Sequence, residues 1–578
     1  SAKSEIRKAL FSLKKIKKSD ITEAALASRV MEAMSDVATH YATTLGVFAS
    51  AIIPKFALDE PETFFPVEDT RKRRLLTAEN RETVLLQMEK EDRYGQYRSL
   101  VRSSFARDAS LMFVVPTHFD AMQAKEELSK GISEFVHVFA AGGKAGDPAE
   151  AWAKALSESH PVLFITTPSG LLLPRLDIDT LIVERASSRA YRMLSRPYAD
   201  LRYFAERLAK HREWRLVLGD SVLPVETLWR ERNGEFGSGL FAPGEYSLVR
   251  WRLSAAPTKL IDSTSRLDTD NRFEIFSPEL KEFIAHAIEQ KERIFLFSAR
   301  KGLAPTTVCG DCGTVLPCKN CGAPVVLHKK SQHEKVGEDS TVYACHACGA
   351  LRESLTACGS CGSWRLVPLG IGIEEIARQA RILFPATHVA ILDKDHASTD
   401  TKARAIARTF NEEGGILVGT ELAFFHLNRV PYAAVISLDA LFSVPDFHIN
   451  ERIFYLMSSL RELAETEGVI QPRRGIGGNQ ILAWAAQGNI TDFYQEEIQD
   501  RESLLYPPFS VFIKIKVANL KSLVPLRESL TKWHPDVFRD SIIIRIPRAS
   551  WPDTELVRLL TLLGPDFSIK VDPESILS

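Results

Sequence analysis

The sequence predicts an α/β fold of two doubly wound lobes, each built around a parallel sheet. Short runs rich in β-branched residues, such as LMFVVPT and DTLIVERA, alternate with helical patterns such as FSPELKEFIAHAIEQ. Strands that recur at such intervals, with helices between them, are typical of βαβ units. The strand patterns fall into two groups, one before about residue 240 and one after it, and two groups predict two lobes.

Length and composition agree with a globular protein of several domains. A chain of 578 residues is too long for one hydrophobic core, and roughly three to five domains are expected. The sequence contains no run of about 18 apolar residues and so predicts no membrane span. Because the first residues lack the apolar core of a secretory signal, we expect a cytoplasmic protein.

Charge is nearly balanced overall, with a net charge of −1, but two segments are strongly basic. Residues 1–18 carry seven Lys or Arg against one acid, and residues 185–215 carry nine against three, with aromatic rings interleaved. Cations for phosphates and rings for base stacking predict nucleic-acid binding; the alternative is an amphipathic helix whose rings face the core. The candidate contacts are Lys14, Lys15, Lys17, Lys18, Arg192, Arg196 and Arg202.

All eight cysteines of the chain lie in one patch and form four C-x-x-C pairs. A two-residue spacer lets both sulfurs of a tight turn face one ion, and two such turns complete a tetrahedral site with no open position. The sequence therefore predicts two structural zinc ions. The proposed ligands are Cys309, Cys312, Cys318, Cys321, Cys345, Cys348, Cys358 and Cys361.

Other uses of these cysteines are less consistent with the pattern. A disulfide framework needs an oxidising compartment, and a thioredoxin-type site is a single pair that opens a helix. An iron–sulfur cluster also takes four thiolates and stays open as an alternative. His328, His333 and His346 lie within or beside the patch, and we interpret them as surface or supporting groups because eight thiolates already complete two sites.

Several segments resemble the primosomal protein N′ (PriA) family of replication-restart helicases. They are FLFSARKGLAPTTVCGDCGTVLPCKNCG, ACGSCGSWRLVPLGIGIEE, ALFSVPDFHINERIFYL and the later RESLLYPPFSVFIKIKVAN. The resemblance implies two RecA-like lobes of the superfamily-2 type, an inserted double-zinc ribbon and a C-terminal α+β domain. It also implies that Cys309, Cys312, Cys358 and Cys361 share one zinc ion and that the inner four cysteines share the other.

The same resemblance suggests where the domains divide. We expect the remainder of an N-terminal DNA-binding domain, a first lobe, a second lobe in two segments, the zinc ribbon inserted between those segments, and the C-terminal domain. In that order the expected limits are residues 1–60, 61–240, 241–304 with 367–472, 305–366, and 473–578.

The chain departs from the family in all three motifs that handle nucleotide. The phosphate-loop position reads DRYGQYRS, which keeps Gly95 but has no G-K-[ST]. The D-E-E-H position begins at Glu184 and continues with Arg185, and the last box keeps only Arg461. Loss of an arginine finger alone costs about 10³–10⁵ in rate, so we expect no useful ATPase and consider ATP binding doubtful.

The resemblance then implies a replication restart protein that recognises branched DNA at stalled forks and promotes primosome assembly and loading of the replicative helicase without unwinding DNA itself. Expected partners are forked and single-stranded DNA, the replicative helicase and other primosome proteins, and the single-stranded DNA-binding protein; the expected state is a monomer. One alternative is an active ATP-dependent 3′–5′ helicase with a divergent nucleotide site. Another is a zinc-bearing RNA-binding or transcription-associated protein unrelated to restart.

Overall fold

The computed structural model describes most of the chain from residue 26 to residue 574. The predicted contacts Lys14, Lys15, Lys17 and Lys18 and the predicted ligands Cys321 and Cys348 lie outside the described residues. The described segments are 26–65, 83–140, 147–236, 256–261, 275–299, 306–312, 314–320, 325–329, 341–345, 350–353, 357–369, 372–438, 441–442, 446–472 and 480–574.

The first lobe is a six-stranded sheet in the order β1-β6-β5-β2-β4-β3, in which every neighbouring pair is parallel. Strands β2 and β5 are buried along their whole length, as expected when helices cover both faces of a parallel sheet. The elements are β1 (Thr83–Gln87), α5 (Lys90–Ala106), β2 (Ser110–Val114), α6 (His118–Leu128), β3 (Val136–Phe139), α7 (Pro148–Ser157), β4 (Leu163–Thr166), β5 (Ile178–Glu184), α8 (Leu201–Arg212), β6 (Arg215–Asp220) and α9 (Val225–Arg232).

Four helices precede this lobe and pack on it. Phe48 meets Phe204 of α8 edge to face with ring centroids 5.3 Å apart, and the Trp152 indole N–H donates to the carbonyl of Phe64. These contacts join the helices to the core of the lobe, because burying large rings is strongly stabilising. The helices are α1 (Ser28–His40), α2 (Leu45–Ile52), α3 (Lys55–Asp59) and α4 (Pro61–Phe64).

The second lobe has another six-stranded sheet, in the order β14-β15-β8-β16-β17-β7, and all its pairs are parallel. The side-chain oxygens of Ser277 and Thr399 accept hydrogen bonds from backbone amides in the first turns of α10 and α12. These N-caps fix where the two helices begin. The elements are β7 (Thr258–Leu260), α10 (Pro278–Glu289), β8 (Ile294–Ser298), α11 (Ile373–Leu383), β14 (Val389–Leu392), α12 (Asp400–Glu413), β15 (Ile416–Gly419), α13 (Ala423–His426), β16 (Val430–Ser437), α14 (Ile449–Leu463) and β17 (Ala464–Ile470).

The ribbon leaves the second lobe after β8 and returns to it before α11. A two-stranded antiparallel sheet joins its two ends, and a three-stranded antiparallel sheet lies between them. The strands are β9 (Thr306–Cys309), β10 (Val325–Lys329), β11 (Thr341–Cys345), β12 (Leu351–Glu353) and β13 (Leu366–Leu369).

The C-terminal part is a four-stranded antiparallel sheet in the order β19-β20-β18-β21, preceded by two helices. One hydrophobic core runs without interruption from the N-terminal helices through both lobes to this sheet. The elements are α15 (Gln480–Gln487), α16 (Ile490–Ser503), β18 (Ser510–Val517), α17 (Leu523–Ser529), β19 (Asp536–Phe538), β20 (Ser541–Pro547), α18 (Thr554–Thr561) and β21 (Phe567–Val571).

The predicted α/β class is confirmed: each of the two lobes is built around a parallel six-stranded sheet. Strands β1 to β6 fall within the expected first lobe, and the C-terminal sheet falls within residues 473–578. The domain limits themselves stay predictions. Among the described residues, no helix is long and apolar enough to cross a membrane.

Candidate functional site

Four sulfur atoms converge where the two ends of the ribbon meet. The Sγ atoms of Cys309, Cys312, Cys358 and Cys361 all lie within 4.8 Å of one another. The Cys309–Cys361 pair is 3.5 Å apart and the Cys312–Cys358 pair 3.6 Å apart. Zn–S bonds of about 2.3 Å in a tetrahedron place sulfurs about 3.8 Å apart, so these four thiols are already arranged for one such ion.

The backbone of the ribbon holds the sulfurs in place. Cys309 ends β9 and lies opposite Leu366 of β13, which brings together two pairs that are far apart in the chain. The amides of Cys312 and Ser360 point at the sulfurs of Cys309 and Cys358, at 3.5 and 3.4 Å. Gly362 supplies the left-handed residue after the last cysteine, with φ of 74°.

The donor set fits a structural zinc ion. All four ligands are soft thiols, three of them are buried, and only Cys361 is exposed. Four thiolates leave no open position for water or substrate, so a bound zinc ion would tie the ends of the ribbon together and take no part in catalysis. This cluster can bind zinc, and one site of this kind is what the outer C-x-x-C pairs predict.

The structure describes one cysteine of each inner C-x-x-C pair. Cys318 and Cys345 are buried together with Val325 and Tyr343, and the amide of Asn320 points at the Cys318 sulfur at 3.4 Å. His333 and His346 lie outside the described residues, and of His328 the structure describes the strand backbone. The second zinc site, with Cys321 and Cys348, stays a prediction.

The nucleotide-loop position differs from a working site in its backbone as well as in its sequence. Strand β1 ends at Gln87 and α5 begins at Lys90, so only Met88 and Glu89 connect them. The phosphate-binding motif G-x-x-x-x-G-K-[ST] needs a glycine-rich loop before its lysine, and a two-residue connection is too short to form it. Gly95 lies inside α5, where it contributes no loop.

Glu184, the predicted remnant of the metal-binding acid, is buried at the end of β5 and already has a cation. Arg93 donates to both of its carboxylate oxygens, from Nε at 2.9 Å and Nη2 at 2.7 Å, and the Tyr97 hydroxyl donates at 2.6 Å. The guanidinium of Arg93 therefore balances the charge of the Glu184 carboxylate from within the chain. Burial and the nearby Glu184 charge raise the pKa of Tyr97 well above its usual value.

The strand next to Glu184 has a glycine at the position where the Tyr97 side chain approaches it. Gly219 of β6 lies opposite Glu184 in the parallel register, and a Cβ at this position would come within 1.7 Å of the Tyr97 hydroxyl. Sequence reasoning missed Arg93 and Tyr97. The two residues are four positions apart on the helix that follows β1, and this spacing places both side chains on one helix face. That spacing was the signal in the sequence from which a shared role could have been inferred.

The cleft between the lobes encloses a cavity of about 830 Å³, and charged pairs cross it or line it. Arg429 of the second lobe pairs with Glu89 of the first at 3.1 Å. Arg185 pairs with Asp120 at 2.9 Å and lies 4.3 Å from the centre of the Phe425 ring across the cleft. An arginine beside Glu184 thus binds an internal acid and an aromatic ring of the other lobe.

Arg461 is not among the residues that line this cavity. Its guanidinium packs against the turn between α15 and α16, since a Cβ on Gly488 would lie 1.7 Å from its Nη1 atom. The next residue, Glu462, faces the cavity instead, and burial raises the pKa of its carboxyl to about 8.

The three described arginines predicted to contact DNA have partners inside the chain. Arg202 pairs with Asp200 through two nitrogen atoms, Arg192 donates to the carbonyl of Asp572, and Arg196 donates to the carbonyl of Phe567 at 2.9 Å. The Arg192 and Arg196 bonds attach the segment after β5 to the C-terminal part, whereas the Arg202 pair is local. Their contact with DNA stays a prediction.

The rings of the same basic segment are largely in the core. Tyr191, Phe204 and Trp214 are buried, and Tyr203 stacks on His40 with ring centroids 4.4 Å apart. This agrees with the alternative in which the rings face inward, and those four rings are not a surface on which bases could stack.

Two parallel α/β lobes face each other across a cleft lined by charged residues. The resemblance predicted from the sequence is confirmed by the curated relatives, all of which carry the name "Replication restart protein PriA". The chain is 23% identical to the Rickettsia conorii protein over 522 residues, covering 84% of this chain and 75% of that one. It is 26% identical to the Haemophilus influenzae protein over 372 residues and 22% identical to the Bacillus subtilis protein over 432.

The coverage of these relatives differs. The alignments span 48% of the H. influenzae protein and 51% of the B. subtilis protein, so the chain matches about half of their length. No family model matches the chain. Among solved structures, it is similar to the DUF1998 helicase MrfA bound to DNA and AMPPNP (11% identity, TM-score 0.37, 90% of this chain and 62% of that one) and to RecG bound to a three-way DNA junction (11%, 0.38, 72% and 43%).

We predict that Cys358→Ser lowers the zinc content by about one ion per chain, because the tetrahedral site loses one of its four thiolates. Metal content of the purified protein after dialysis measures this. Ser360→Ala is the matched control, since Ser360 contacts the cluster through its backbone amide alone, and it should keep the wild-type content. Equal zinc in Cys358→Ser and the control would contradict this assignment.

We predict that Arg93→Leu destabilises the protein by about 3–5 kcal/mol, because it leaves Glu184 buried without its cation. Urea unfolding measures the loss. Arg98→Leu on the same helix is the matched control: its pair with Glu127 is 3.6 Å long and over a third exposed on both sides, so it should cost about 0–1 kcal/mol. Adding Glu184→Leu to Arg93→Leu should recover most of the loss, and equal effects of the two single arginine variants would refute the buried pair.

Proposed function

We propose that this chain is a replication restart protein that binds branched DNA and promotes primosome assembly and loading of the replicative helicase without hydrolysing ATP. The similarity to proteins named for replication restart supports the first half of this proposal. The second half, the absence of ATP hydrolysis, rests on one observation: β1 connects to α5 through two residues, and Arg93 of that helix forms an ion pair with Glu184.

Phosphoryl transfer by a helicase lobe needs three parts: a loop for the phosphates, an acid for Mg²⁺ and an arginine for the transition-state charge. Here the loop is replaced by a two-residue connection, the acid carries a guanidinium, and Arg461 packs away from the cavity. Each change removes a different part of the chemistry. Together they support a lobe pair that serves as a scaffold.

The two predicted zinc ions complete this scaffold. The outer four cysteines would bind one ion and the inner four the other, and bound zinc would supply folding energy of about 10–16 kcal/mol per site. A ribbon held in this way projects from the second lobe as a separate surface. We propose that it serves recruitment of primosome proteins and the single-stranded DNA-binding protein, with the chain acting as a monomer.

DNA is the proposed ligand of the assembled protein. MrfA and RecG, to which the chain is similar, are described as bound to DNA and to a three-way DNA junction. Within the described residues, Arg196 is the best placed of the predicted contacts, because it is exposed beside the edge strand β21. The lysines at positions 14, 15, 17 and 18 are proposed to add charge near the same DNA.

We predict no DNA-stimulated ATP hydrolysis above the no-protein background in the presence of forked DNA and Mg²⁺. The physical reason is that loss of even one transition-state cation costs about 10³–10⁵ in rate. Release of phosphate from ATP measures this, with Glu184→Gln as the matched control. Turnover in the wild type that disappears in Glu184→Gln would identify an active helicase with a divergent site and contradict the proposal.

We predict that the wild type binds forked DNA more tightly than an RNA hairpin at matched salt, and that Arg196→Gln reduces the slope of log affinity against log salt by about one, as for one lost phosphate contact. Fluorescence anisotropy over a salt series gives both results. Arg404→Gln, which removes an exposed arginine of the second lobe, is the control and should leave the slope unchanged. A preference for RNA would favour the RNA-binding alternative.

A further inference from the structure

Three parts of the chain meet at the segment that follows residue 445. Asp446 and His448 come from the second lobe just before α14, Glu226 from α9 of the first lobe, and Arg501 from α16 of the C-terminal part. This segment belongs to the FSVPDFHINER motif, and neither the zinc ribbon nor the nucleotide cleft uses it. We call these residues, with the groups that pair with them, the three-way junction.

His448 lies between two carboxylates from different lobes. Its Nε2 atom is 3.1 Å from Glu226 and its Nδ1 atom 3.3 Å from Asp446. A neutral imidazole has one donor and one acceptor nitrogen, whereas both nitrogens donate in the charged form. Two carboxylates therefore select the charged imidazolium, which pairs with Asp446 of its own lobe and, across the interface, with Glu226 of the first lobe.

Arg501 closes the junction from the C-terminal part, and its side chain is 1% exposed. It lies 3.5 Å from Glu226 of the first lobe, 2.8 Å from Glu451 of the second, and 2.8 Å from Glu497 on its own helix. A single buried guanidinium thus pairs with acids from all three parts, and its five donors suit several carboxylates at once.

Further contacts surround this centre. Arg189 of the first lobe pairs with Asp446 of the second, and the Val225 amide donates to Glu451. The Phe447 ring lies 3.9 Å from the His448 ring and 5.8 Å from the Phe512 ring of the C-terminal sheet, measured between centroids. Moving any one part would expose several of these pairs together or leave them without partners.

We propose that the three-way junction holds both lobes and the C-terminal part in one fixed relative arrangement. A stepping motor has to open and close its lobes, whereas opening them here would break the pair between Glu226 and His448 together with the pairs that Arg501 makes to the two lobes. The junction therefore makes the chain a rigid platform whose lobes keep their positions. This inference concerns lobe motion alone and does not depend on whether the chain binds DNA.

The junction should weaken in alkali. Burial alone would lower the pKa of His448, but hydrogen bonds with Asp446 and Glu226 outweigh burial and raise it to about 9. Because the folded-state pKa lies above the ordinary 6.5, the stabilisation is complete below pH 6.5 and is lost as pH rises through about 9. Arg501 also faces His448, and burial raises the pKa of the neighbouring Asp572 to about 7.

Hydrogen exchange of the full chain tests the junction. In Glu226→Gln we expect exchange in α9, α14 and α16 to become about tenfold faster or more, because Glu226 pairs with both His448 and Arg501. Exchange in the central strands β2 and β15 should not change. Glu555→Gln is the matched control: it makes the same substitution in an ion pair that is about 60% exposed, and it should leave all five elements unchanged.

If Glu226→Gln fails to fold, the wild type provides the test. Exchange at pH 7.5 and pH 10, corrected for the intrinsic rate, should rise in α9, α14 and α16 at the higher pH while β2 and β15 stay protected. The same comparison in His448→Gln should show faster exchange already at pH 7.5 and little further change. Unchanged protection of the three helices in Glu226→Gln, or in the wild type at pH 10, would overturn the junction whatever the result of the ATPase and DNA-binding assays.

Discussion

The buried ion pair between Arg93 and Glu184 sets what the cleft between the lobes can do. The two carboxylate oxygens accept hydrogen bonds from two nitrogens of the guanidinium and from a tyrosine hydroxyl. The guanidinium therefore balances the charge of the carboxylate without a metal ion. The short link from β1 to α5 makes this possible, because it brings a helix face to the place where a phosphate loop would lie. Among the described residues, a two-residue link therefore stands between β1 and α5, at the position where the resemblance places the phosphate loop.

The remaining contacts join parts of the chain that are far apart in the sequence. Charged pairs close the cleft at Arg429 and Arg185, and the buried Arg501 joins acids of three parts of the chain. Four thiols tie the two ends of the ribbon at its root. The Arg501 pairs are buried, and withdrawing one partner from a buried charge carries a large penalty.

Local patterns in the sequence predicted much of this, and long-range pairs remained hidden. The two-residue spacing of the cysteines predicts a thiolate cluster, and alternating strand and helix patterns predict parallel sheets. Arg93 finds Glu184 across 91 residues, and His448 finds Glu226 across 222. No periodic pattern in the sequence indicates which of these distant residues will pair. The basic segment combines both kinds of contact, since Arg192 bonds to Asp572 across 380 residues while Arg202 pairs with the nearby Asp200.

The most direct measurement is a calorimetric titration of the wild-type protein with a non-hydrolysable ATP analogue and Mg²⁺. If the Arg93 guanidinium balances the Glu184 charge and no phosphate loop exists, no saturable heat should appear up to millimolar nucleotide. A saturable curve with one site per chain, dependent on Mg²⁺ and lost in Glu184→Gln, would show that the cleft still takes nucleotide and would contradict the account.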